Sequence, residues 1–78
     1  MKSEKELFEL AKMYATLEMD FEEGLISEFE MDELKYNMEK IRNVLLAKSY
    51  DVDKFLEYKR LYKQMSVDEY FEFIKTLK

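Results

Sequence analysis

Apolar residues recur along this chain in steps of three and four. Leu7, Leu10, Tyr14, Leu17 and Phe21 form one series, and Met31, Leu34, Met38, Ile41 and Leu45 a second. Phe55, Tyr58, Tyr62 and Met65 form a third, and Val67, Tyr70 or Phe71, Ile74 and Leu77 a fourth. Such spacing lays each series along one face of an α-helix. The residues between the series start and stop helices. Ser3 leads Glu6, Ser27 leads Glu30 and Ser66 leads Glu69, each a Ser-x-x-Glu capping box. Asp51 stands before the third series as an N-cap, and Gly24 follows the first where a left-handed C-terminal residue is wanted. Four helices follow, over about 4–23, about 28–48, about 52–64 and about 67–77. Short connections favour antiparallel neighbours, so the expected fold is all-α: a small up-down bundle of two long and two shorter helices, forming a single helical domain over 1–78.

Some apolar residues fall off these stripes. Phe8, Ala11 and Ala15 widen the first seam on one side, and Met13 extends it on the other. Phe29, Tyr36 and Ala47 lie opposite the second stripe, and Leu46 lies off it. Two readings stand: a second contact surface made by Phe29, Tyr36, Leu46 and Met19, or ordinary scattered surface apolar groups. Of the six methionines, Met31, Met38 and Met65 read as core filler, and Met13 and Met19 as surface candidates.

Composition narrows the chemistry. The 78 residues include no Cys, His, Trp or Pro, and one Gly. Without Cys there is no disulfide, thiolate nucleophile or Cys-based zinc site. Without His the usual general base and the commonest metal ligand are gone. A lone Gly24 cannot form a glycine-rich phosphate loop. Asp51-Val52-Asp53 opens like a calcium loop, but the glycine and final glutamate of that loop are missing. Neighbouring carboxylates such as Glu22 and Glu23 diverge around a helix and make no acid–base pair. No catalytic residue, metal or cofactor is expected, and the chain reads as a non-enzyme. Its charged start and lack of a long apolar run predict neither signal peptide nor membrane span, hence a cytoplasmic protein.

The charge map is uneven. Thirteen basic residues face 18 acidic ones, for a net charge of −5. Eight acids and no bases fill the stretch from Glu18 to Glu33: Glu18, Asp20, Glu22, Glu23, Glu28, Glu30, Asp32 and Glu33. This is the tip of the first helical hairpin. Acids suit the start of the second helix but oppose the dipole at the end of the first. Glu18 with Glu22 and Glu28 with Asp32 are like-charge i,i+4 pairs. The tip has three readings: neutralised internally by Lys59, Arg60 and Lys63, merely solvated, or a knob that docks on a basic partner. Glu18 falls on the core side of its helix. Its expected partner is a tyrosine hydroxyl, Arg42 or Arg60.

The leading expectation is therefore a binding protein, a regulator or inhibitor of the kind that phages and other mobile elements often carry. It would dock Asp20, Glu22, Glu23, Glu28, Glu30, Asp32 and Glu33, with Phe29, Tyr36 and Leu46, on another protein's basic surface. One version is a nucleic-acid mimic. A second expectation is a homodimer with an apolar seam. A third is a nucleic-acid-associated regulator using Lys54, Lys59, Arg60 and Lys63, which interleave with Tyr58 and Tyr62. The acidic balance of the whole chain weighs against that one.

Overall fold

The computed structural model describes residues 3–24 and 27–77. Met1 and Lys2, part of the charged start, lie outside the described residues. Four helices follow in order: α1 (Glu4–Glu23), α2 (Glu28–Ala47), α3 (Val52–Gln64) and α4 (Val67–Thr76). No strand occurs among the described residues. The molecule is a flattened all-α bundle with principal extents of 38, 31 and 16 Å.

The helix ends carry the local chemistry that the serines predict, with differences. Ser3, Ser27 and Ser66 each accept a hydrogen bond from the backbone N–H three residues on. The reciprocal glutamate contact forms only at Ser66, where Glu69 Oε1 accepts from the Ser66 N–H at 3.0 Å. Glu6 instead accepts from Lys48 Nζ and Tyr50 Oη, both at 2.7 Å. A long-range ionic contact has replaced the local one. Asp51 caps α3 by accepting from Asp53 and Lys54 N–H. Gly24 closes α1 at φ +67°. α2 ends at Ala47, a residue before the expected end. Ser49 adopts φ +56°, and the N–H groups of Ser49 and Tyr50 return to the carbonyls of Leu46 and Leu45 at 3.2 and 3.0 Å. This is a Schellman closure with serine in the position glycine prefers.

Helix α1 is the shared wall of the bundle. It packs most extensively on α3 and next on α2. Contact pairs give the directions. Glu4 meets Lys54 and Tyr58 and Glu18 meets Lys59 and Lys63, while Phe8 meets Tyr62 and Tyr14 meets Phe55, so α3 crosses α1 obliquely. Glu6 meets Lys48 and Tyr50, so α2 runs antiparallel to α1. Tyr70 bonds Lys12 and Glu9 while Phe73 packs on Phe8, so α4 also returns antiparallel to α1.

The core centres on residues the periodicity placed at the edge of the α1 seam. Phe8, Ala11 and Ala15 are each 0% exposed, whereas Phe21 is 39% exposed. Two alanines spaced i,i+4 let a neighbouring helix approach closely. Phe8 sits among Tyr58, Tyr62, Tyr70 and Phe73, with ring centroids 4.8–6.4 Å away. Offset and edge-on arrangements of this kind add about 0.5–1.5 kcal/mol per pair beyond burial. α4 faces the core with Tyr70, Phe73, Ile74 and Leu77, while Val67, expected on that stripe, is exposed. Val67 opens the helix immediately after its cap, and Phe73 takes a core place instead. Met31, Met38 and Met65 are half-buried.

The base of the bundle is held by polar contacts. Tyr58 Oη donates to Glu4 Oε2 at 2.6 Å, and Lys54 Nζ lies 3.4 Å from the same oxygen. The Tyr58 hydrogen bond holds the Glu4 carboxyl below its ordinary value, and the bonds from Lys48 and Tyr50 do the same for Glu6. Burial, then the Glu4 contact, pushes the Tyr58 hydroxyl up to about 12.

Gly24→Ala should destabilise the fold by about 1 kcal/mol, because a Cβ in the left-handed region meets the penalty that glycine escapes; urea denaturation measures it. Depressed carboxyls contribute stability above their unfolded value and lose it as pH falls through the folded one. The urea midpoint should therefore drop as pH falls below the ordinary 4.5 of Glu4 and Glu6. Tyr58→Phe should flatten part of that slope. At the alkaline end the raised Tyr58 hydroxyl acts in the opposite sense. Its contribution is whole below 10 and lost as pH rises towards about 12.

Candidate functional site

The acidic tip is the end of the α1–α2 hairpin, and simple geometry makes it project. α1 has 20 residues and α3 has 13. The shorter α3 crosses α1 obliquely and does not accompany it to its end. The outermost ion pair from α3 is Lys63 to Glu22 at 4.0 Å. Beyond it, α1 and α2 have mainly each other for support.

Glu18 is the inner anchor of the tip. Its side chain is 23% exposed, and its Oε1 lies 3.2 Å from Lys59 Nζ and 3.1 Å from Lys63 Nζ. Oε1 is sealed from water yet aligned with neither ammonium for a hydrogen bond, and Lys59 donates to Oε2 at 3.4 Å. The partners are thus two lysines of α3, not a tyrosine, Arg42 or Arg60. The crossing of α3 over α1 explains the correction. It sets Lys59 and Lys63, one turn apart, directly against Glu18. Arg60 points to solvent and joins no ion pair among the described residues.

Internal neutralisation of the tip therefore reaches Glu18 and the edge of Glu22. Asp20, Glu23, Glu28, Glu30, Asp32 and Glu33 are exposed and form no ion pair among the described residues. In their midst Phe29 is 77% exposed. Asp20, Glu30 and Glu33 line a shared cleft between α1 and α2 with Leu34 and Asn37. Tyr36, 63% exposed, lies two turns along α2 from Phe29, with Lys40 Nζ 6.0 Å from its ring.

Leu46 does not join this group. It is exposed, but it stands about 25 Å along α2 from Phe29 at 1.5 Å per residue. There it borders a small groove of about 240 Å³ with Val52 and Leu56. The four bases of the nucleic-acid reading also divide. Lys54 pairs with Glu4, and Lys59 and Lys63 pair with Glu18, which leaves Arg60. Tyr58 is buried and Tyr62 half-buried against the core.

An apolar trough between α1 and α2 was missing from the sequence reading. It holds about 540 Å³, is walled by Leu10, Met13, Leu17, Ile41 and Val44, and meets the acidic cleft at Asn37. The exposed Met13, a surface candidate in sequence, was its signal. No helix among the described residues is long and apolar enough to cross a membrane. No group of three or more described carboxylates is arranged to hold a metal ion. No protein-family model, curated protein or solved structure matches the chain.

Removing the Glu18 carboxylate should leave Lys59 and Lys63 facing each other with only Glu22, 4.0 Å from Lys63, as counter-charge. Glu18→Gln is expected to cost about 1 kcal/mol in urea denaturation, a figure discounted for partial exposure. Glu30→Gln, at an exposed position without an ion pair, should change stability by less than about 0.5 kcal/mol.

Proposed function

We propose that this chain works without catalysis, by docking its acidic hairpin tip on the basic surface of another protein, as a regulator or inhibitor. The observation that carries this reading is Phe29, 77% exposed among six carboxylates that join no ion pair among the described residues. A projecting aromatic ring is the usual anchor of a protein contact. The carboxylates around it supply charge complementarity, which speeds encounter and selects cationic surfaces more than it adds affinity. A display of acids on a narrow projection also suits a surface that otherwise binds a polyanion, so a nucleic-acid-binding protein is the class of partner it fits best.

The proposal is tested by capture from extract of the source cell with tagged protein, at low and high salt. One stoichiometric partner, released by salt, is expected. Glu23, Glu28, Glu30 and Asp32 changed together to Lys should abolish its capture while the helical circular dichroism is retained. Phe29→Ala should weaken capture about tenfold or more. Capture that survives the fourfold reversal would remove the tip from the function.

A further inference from the structure

The face of α2 that borders the trough has a symmetry of chemistry. Phe29, Glu33, Lys40 and Val44, with Tyr36 and Asn37 between, step by three or four along one side of the helix. Read from either end, the order is apolar, acid, polar pair, base, apolar once the partner is reversed. Phe29 and Val44 are equally far from the midpoint between Tyr36 and Asn37, and so are Glu33 and Lys40. A two-fold interface needs this property, because each residue must meet the other member of its pair on the second copy.

The exposures fit. Phe29 and Tyr36 are 77% and 63% exposed, and Glu33 and Lys40 are exposed without an ion pair among the described residues. Val44 opens onto the trough, whose apolar walls from Leu10, Met13 and Leu17 of α1 offer a bed for an aromatic ring. The cleft that continues from the trough past Asn37 is acidic, with Asp20, Glu30 and Glu33. Trough and cleft meet at Asn37, so the groove between α1 and α2 is apolar on the Lys40 side and acidic towards the hairpin tip. Its two ends complement each other across a two-fold axis.

We infer that a second copy of this chain binds antiparallel across the α1–α2 groove, seating Phe29 in the partner copy's trough and pairing Glu33 with the partner copy's Lys40, twice. The inference rests on the reading of Phe29 and its acidic surroundings as a docking element, and it names one occupant. Self-association would then compete with a foreign partner for Phe29, so the tip would be freed for that partner by dilution.

Sedimentation equilibrium of the full chain is the test, with the exposed-site variants Glu33→Lys and Lys40→Glu. The wild type should be a dimer at high micromolar concentration, weakened by salt. Each single variant should dissociate about tenfold or more readily, since it places like charges together twice. An equimolar mixture of the two should recover the dimer, because both cross pairs become opposite in charge. Circular dichroism shows that each variant folds. A monomeric wild type at several hundred micromolar, or a mixture no tighter than its components, overturns the inference. Either result leaves the tip reading standing, because that is judged by foreign capture and by residues other than Glu33 and Lys40.

Discussion

Every other helix of this protein packs on α1, and Phe8 is the point on which the packing turns. A 78-residue chain has little apolar surface to bury, and it carries neither a disulfide nor proline-stiffened loops. It compensates by concentration. One fully buried ring touches tyrosines of α3 and α4 and a phenylalanine of α4, and the small Ala11 and Ala15 on the same helix are fully buried. The tyrosine hydroxyls then reach outward to carboxylates on α1. Tyr58 finds Glu4, and Tyr70 finds Glu9. Each ring contributes packing at one end and orientation at the other. This is how a highly charged small chain obtains both a core and a defined register.

Most of the fold was legible in the sequence because three serines, one aspartate and one glycine mark helix ends by local hydrogen bonding, which needs no tertiary knowledge. The centre of the core was less legible. Periodicity assigns a face but not its midline, and the α1 stripe was set about one residue too far round. Phe8, Ala11 and Ala15 were read as fringe, and Phe21 as core. The deciding fact is the neighbour α3, crossing α1 at Phe8, which a helical wheel does not contain. Tyr50 shows the same limit. It lies between helices, yet it is buried because the left-handed turn at Ser49 swings it under α1.

The charge pattern was legible as a concentration of acids, but its partition was not. Glu18 is an internal anchor, whereas Asp20, two residues on, faces a cleft with Glu30 and Glu33. What separates them is the helical turn between adjacent side chains and the register of Lys59 and Lys63. Leu46 was grouped with Phe29 because both are off-stripe apolar residues. The length of α2 sets them at opposite ends. Spacing in sequence shows which side of a helix a residue takes. How far along an interface it can act depends on where the neighbouring helices stop.

The stopping point of α3 has a further consequence. The first half of α1 is sealed by three helices, while its last turn beyond Glu18 has only α2 and a marginal Lys63 contact. One continuous helix therefore contains two tiers of opening. Its amides around Phe8 and Ala11 should exchange only on extensive unfolding, whereas those near Glu22 and Glu23 should exchange by local fraying at much lower free energy. Any partner that grips this end spends part of its binding energy on quietening it, and in return meets an edge that can adjust its pitch to the surface it finds.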